Sequence, residues 1–128
     1  MNCVDSSGWI EFFLGSRAGL AYKPIIEQTA LLIVPAVSIY EVHRFLSRTT
    51  SATHRDEYLE LMCRSTVVDL TVARAIAASE AAQTHRLAMA DAVMYSVACE
   101  FAATFWTQDV DYQGLPGVNY FPRHQPSS

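Results

Sequence analysis

The sequence predicts an α/β sandwich built around a short parallel sheet, and three features predict it. Short apolar runs without polar alternation, such as Leu31–Val34, suit strands buried on both faces. Segments of helical periodicity separate the runs, which is the connection that parallel strands require. Acidic residues, Asp5 and Asp109, come at or after the ends of two of the strands, at the sheet edge where ligand groups gather.

Taken in order, residues 2–5 read as a brief strand ending at Asp5. Ser6–Leu14 reads as a helix with Trp9, Ile10, Phe12 and Phe13 on its apolar side and Gly15 as its stop. Residues 17–28 read as helical, with Pro24 starting, kinking or dividing the segment. After the strand at Leu31–Val34, Pro35 leads into a helix of about fourteen residues whose core face is Ile39, Val42, Phe45 and Leu46. Glu41 lies toward the edge of that face. A polar break at Thr49–Thr53 precedes a helix over 54–64 and a third strand at Thr66–Leu70. Thr71 suits the N-cap of an alanine-rich helix over 72–84, and His85 and Arg86 belong to the connection. A helix over 90–102 follows, with Met94, Val97, Ala98 and Phe101 on one face and Asp91 near its start. Thr104–Trp106 reads as the fourth strand, Gly114–Gly117 as a loop and Val118–Phe121 as a fifth, edge strand. Residues 1–121 thus read as one domain and 122–128 as a flexible tail.

Composition narrows the function classes. The 51% hydrophobic and 17% charged content describe a folded chain. Its formal charge of -4 is the wrong sign for binding nucleic acid through an overall field, so such a substrate needs a local basic rim or cations that offset local acids. Lys23 is the only lysine, so any such rim is built from arginine. Cys3, Cys63 and Cys99 have no paired spacing and read as small apolar fillers of a reduced, cytoplasmic protein. Neither a signal peptide nor a membrane span is predicted, because the longest apolar run, Ala30–Val37, is short and interrupted by Pro35.

Each acid singly has a structural explanation. Asp5 suits a helix cap, Glu41 the last position of a capping box begun at Ser38, and Asp91 the first turn of a helix. Asp109 and Asp111 suit a turn. Those explanations give no reason for the acids to gather at one edge of the sheet. Two carboxylates 4 Å apart repel by about 4 kcal/mol at an effective dielectric near 20. A cluster is therefore tolerable where protons or divalent cations share it. Oxygen-only donors favour magnesium or manganese, and two such ions would bring the formal balance of -4 to zero. Competing chemistries lack their motifs: there is no GxxxxGK[ST] loop, no GxGxxG and no GxSxG elbow. His43, His54, His85 and His124 have no metal-ligand spacing and read as surface or loop residues.

The ordered segments V-D-S-S, S-I-Y-E-V, L-A-M-A-D-A, T-Q-D-V-D-Y and G-L-P-G-V, spread from Val4 to about Tyr120, resemble PIN-domain ribonucleases. More narrowly, the chain resembles the VapC-type toxins of bacterial and archaeal toxin–antitoxin pairs. Each segment is short, but five in this order at family-like spacing are specific. The resemblance implies a 3-2-1-4-5 parallel sheet and an endoribonuclease using one or two Mg2+ or Mn2+ ions. It assigns the acidic quartet to Asp5, Glu41, Asp91 and Asp109, with Asp5, Asp91 and Asp109 the main ligands and Glu41 binding a cation or orienting water. It places supporting groups at Ser6, Thr107 and Asp111. Trp106, where the family has a small aliphatic residue, and Cys3 are mild departures. Arg44 and Arg48, one and two turns beyond Glu41, suit phosphate contacts or exposed arginines paired with nearby acids. The resemblance also implies a homodimer silenced by an antitoxin. The alternatives are a housekeeping PIN nuclease outside any toxin system and a non-catalytic PIN module binding RNA or protein. A receiver domain would need a lysine after its last strand, and Lys23 is in the wrong place.

Overall fold

The structure, a computed structural model, describes residues 1–122. In chain order its elements are β1 (Asn2–Val4), α1 (Ser6–Leu14), α2 (Arg17–Leu20), α3 (Lys23–Ile26), β2 (Leu32–Pro35), α4 (Ala36–Thr49), α5 (Ala52–Cys63), β3 (Thr66–Val68), α6 (Val72–His85), α7 (Met89–Glu100), β4 (Thr104–Thr107) and β5 (Val118–Tyr120). The five strands form one sheet of order β3-β2-β1-β4-β5, and every pairing is parallel. The expected architecture and strand order are both present. The expected tail and His124 fall on residues 123–128, outside the described residues, apart from Pro122.

The unbroken apolar strands are explained by helices on both faces. Cys3, Ile33 and Phe105 are aligned across the sheet and point into one core, where α7 contributes Ala92, Met94, Val97 and Ala98. Their neighbours Val4, Leu32 and Val34 point the other way, into a second core closed by Trp9, Val42, Leu46 and Met62. Successive residues of a strand face opposite sides, so each must be apolar when both sides are covered. The predicted core faces of α1 and α4 pack into the second core, to which α5 adds Tyr58, Leu59 and Met62.

Several boundaries move for local reasons. Pro24 divides the segment expected as one helix: α2 ends at Leu20, and Pro24 stands in the first turn of α3, where its missing N–H costs nothing. The helix bearing S-I-Y-E-V is consequently the fourth. The helix expected over 54–64 starts at Ala52 because Ser51 caps it, its hydroxyl accepting from the His54 N–H at 3.1 Å. Helix α7 starts at Met89, so Asp91 lies inside its first turn. The capping box at Ser38 does not form: α4 begins at Ala36, and Ser38 is buried inside the helix with no hydrogen-bond partner among the described residues. Only Cys3 is a buried filler; Cys63 and Cys99 are exposed, each in the last turn of a helix with one side toward water. Among the described residues, no helix is long and apolar enough to cross a membrane.

Gly15 ends α1 in the left-handed region at φ 68°, which a side chain rarely adopts. The chain then folds α2 back against α1 so closely that a Cβ on Gly19 would lie 2.2 Å from the Glu11 carbonyl oxygen. Gly19→Ala must therefore push two backbones apart, and we expect it to lower unfolding free energy by about 1–3 kcal/mol in urea titration. A variant unfolding with the parent would show that α1 and α2 separate freely.

Candidate metal centre

Parallel strands bring their carboxyl ends to one edge, and the acidic residues collect there. Asp5 follows β1 directly and is only 4% exposed. One carboxylate oxygen accepts from the Ser7 N–H at 3.2 Å, capping α1. The other accepts from the Thr107 hydroxyl at 2.8 Å. Thr107 ends the neighbouring strand β4, and its oxygen also accepts from the Asp109 N–H at 2.9 Å. One hydroxyl thus fixes the buried carboxylate and the turn that carries Asp109. Asp109 in turn accepts from the Asp111 N–H at 2.9 Å, closing a 3-10 turn over Val110–Tyr112.

Asp91 reaches this edge from the first turn of α7, and Glu41 reaches it from α4. Asp91, Asp109 and Asp111 each offer a carboxylate oxygen within 4.8 Å of the others. Glu41 accepts from the Ser6 hydroxyl at 2.7 Å; Met94 Sδ lies 2.9 Å from the same hydroxyl and is the weaker acceptor. Asp5, Ser6, Glu41, Asp91 and Asp109 line one cleft of about 420 Å3, and Tyr40, Arg44, Phe45 and Arg48, on the same helix as Glu41, line it with them. All four members of the expected quartet therefore share a cleft. Asp111, expected only in support, stands with Asp91 and Asp109, whereas Asp5 lies deeper. Neither Arg44 nor Arg48 forms an ion pair among the described residues; Arg44 Nη1 donates to the Tyr40 hydroxyl at 3.2 Å.

Two aromatic residues of the site escaped the sequence reading. Tyr112 is fully buried, and its hydroxyl donates to the Asp91 main-chain carbonyl at 3.1 Å, joining the acidic turn to α7. An aromatic directly after an acidic turn was the available signal. Tyr40 shares the cleft because it precedes Glu41 on α4.

The electrostatics record the crowding. Burial pushes the Asp5 carboxyl from 3.8 up to about 6, against the hydrogen bonds from Thr107 and Ser7, and the charges of Asp91 and Asp109 push it further. Burial also raises Asp91; the Tyr112 hydroxyl opposes this, and Asp109, Glu41 and Asp111 add to it. An all-oxygen donor set with carboxylates this close, held in place by hydroxyls, fits a hard divalent cation such as Mg2+ or Mn2+.

The raised Asp5 pKa has a stability consequence without metal. Below pH 3.8 the group is protonated in both folded and unfolded chains. Between 3.8 and about 6 only the folded chain holds the proton, so stability falls as pH rises through that window. The loss above it corresponds to roughly 3 kcal/mol at about 1.4 kcal/mol per unit. In chelator, Asp5→Asn is therefore expected to melt above the parent at pH 7.5, with the gap closing near pH 4. A gap unchanged between the two pH values would contradict this account.

Comparison with known proteins agrees with the geometry. No curated protein matches the chain by sequence. Among solved structures, a toxin–antitoxin complex from Klebsiella pneumoniae superimposes with a TM-score of 0.79 at 17% identity, covering 93% of this chain and 96% of that one. VapBC2 from Rickettsia felis, bound to a fragment of its promoter DNA, gives 0.71 at 10% identity, with 94% and 97% covered. VapC20 from Mycobacterium tuberculosis, a toxin cleaving the sarcin–ricin loop, gives 0.68 at 16% identity, with 88% and 92% covered. At these identities the likeness is one of fold. The sequence model of the PIN domain matches residues 3–117, nearly the whole described chain, and the protein belongs to the PIN domain family.

Proposed function

We propose that this chain is a Mg2+- or Mn2+-dependent endoribonuclease, the toxin of a toxin–antitoxin pair, with residues 1–121 as its one nuclease domain. The observation that carries the reading is the convergence of Asp5, Glu41, Asp91 and Asp109 on a single cleft, with Asp111 beside Asp91 and Asp109 and two arginines in the cleft lining that pair with no acid among the described residues. Asp91, Asp109 and Asp111 would hold one cation; Asp5 and Glu41 would complete the set or receive a second. Bound there, a divalent cation acidifies water and offsets charge developing on phosphate. The chain's own groups do the rest. Thr107 and Ser6 hold Asp5 and Glu41 in fixed orientations, Glu41 orients the attacking water, and Arg44 and Arg48 hold phosphates flanking the scissile bond. That a solved PIN-fold neighbour is a toxin cleaving the sarcin–ricin loop supports RNA as the substrate.

The same neighbours include toxin–antitoxin complexes, which supports an antitoxin partner. An arginine from such a partner, placed among the carboxylates, would occupy the cation's position. We place the protein in the cytoplasm as a homodimer. A small gene for a DNA-binding antitoxin beside this one would separate a toxin from a housekeeping nuclease.

Purified protein is expected to cut a total-RNA pool with Mg2+ or Mn2+ and not with chelator. Asp91→Asn and Asp5→Asn are expected to lose at least a hundredfold in rate while remaining folded, since loss of a supporting group alone costs about 10–100-fold. Folded, antitoxin-free protein that cuts in neither metal would favour a binding module. Arg44→Ala is expected to weaken RNA binding and to flatten the slope of log K against log salt by about 0.7, the contribution of one phosphate contact on a single strand. An unchanged slope would remove Arg44 from the interface.

A further inference from the structure

We propose that Tyr40 is the platform on which a single-stranded RNA stacks one base beside the acidic cleft, with Arg44 fixing the ring. The inference rests on the nuclease reading and deepens it by naming the residue that would hold a base beside the cleft. Tyr40 is the only Phe, Tyr or Trp among the described residues that is exposed, at 61%; every other is buried or half-buried. A large ring left in water contributes little to folding and is available to a ligand. Tyr40 stands next to Glu41 on α4 and lines the same cleft as Asp5, Asp91 and Asp109.

The Tyr40 hydroxyl accepts from Arg44 Nη1 at 3.2 Å across one helical turn. That contact restricts both side chains before any ligand arrives, which lowers the entropy cost of binding. An exposed aromatic face beside unpaired guanidinium groups is the combination that holds single-stranded nucleic acid: a base stacks on the ring and the phosphates lie against the cations. The chain is acidic overall, with a formal charge of -4, so recognition of an anionic polymer has to be local, and Tyr40, Arg44 and Arg48 supply it on one face of one helix. Bases inside a duplex are already stacked on one another and cannot use the ring. The ring can therefore engage only unstacked nucleotides, as in loops, bulges and free strands.

The test measures binding of the full-length chain to a short fluorescein-labelled single-stranded RNA and to a blunt duplex of the same sequence. It is made in Mg2+ on an Asp91→Asn background, so that cutting does not intervene. Tyr40→Leu should loosen the single strand roughly fivefold or more, the lower end of what stacking one base contributes. Tyr40→Phe, which keeps the ring, should stay within about threefold, and the duplex should be held equally by all forms. Because Tyr40 lies outside both cores, melting temperatures should not change. Equal single-strand binding by Tyr40→Leu, or an equal loss for the duplex, would overturn the platform. Cleavage by the parent is scored separately: a parent that does not cut but binds through Tyr40 overturns the nuclease and leaves the platform standing.

Discussion

A carboxylate held where water barely reaches it sets the terms for the rest of this structure. Asp5 follows the central strand, carries the cap of α1, and accepts the one hydroxyl proton of Thr107. The same Thr107 oxygen receives the Asp109 N–H, so two adjacent strands and the turn beyond them share one hydrogen-bond relay. The relay depends on sheet register. With Val4 opposite Trp106, the residues that follow each strand arrive at equal depth. A slip of one residue would send Thr107 to the other face and put the Trp106 ring in its place.

Around that carboxylate the fold gathers acids from both layers. Glu41 comes from α4, packed in the core of Val4 and Val34, and Asp91 comes from α7, packed in the core of Cys3 and Phe105. The cleft therefore lies between the layers, at the carboxyl end of the sheet. Burial, and after it mutual repulsion, pushes Asp5 and Asp91 upward in pKa, and the chain opposes this with fixed hydroxyls and with the positive end of α7 near Asp91. Such a site is under tension on its own, and a bound cation would relieve it.

The fold was legible because both of its signals are local. The apolar run at Leu31–Val34 signals burial on two faces, which holds for Leu32–Val34 although Leu31 precedes the strand and is exposed, and Thr71 or Gly15 marks a helix end whatever the tertiary setting. Misplaced boundaries trace to choices between equally local signals. Ser51 outcompeted the later start of α5, and Pro35 set α4 early enough to place Ser38 inside the helix, so the S-x-x-E pattern capped nothing. The exposure of Cys63 and Cys99 depended on which side of a helix end met the sheet, which composition does not encode.

The sequence by itself determined which chemistry was available: five acids without competing motifs, an arginine-only rim, and strand–helix alternation that sends strand ends to one edge. Only the tertiary structure decided how the acids divide. It set Asp91, Asp109 and Asp111 within 4.8 Å of one another, sank Asp5 beneath them, and turned Glu41 to Ser6. It also brought in Tyr112 and Tyr40, one buried behind the acids and one exposed at the cleft and held by Arg44. The physical reason is distance along the chain. Contacts such as Asp5 to Thr107, 102 residues apart, exist only once the sheet has closed, and no local propensity reports them.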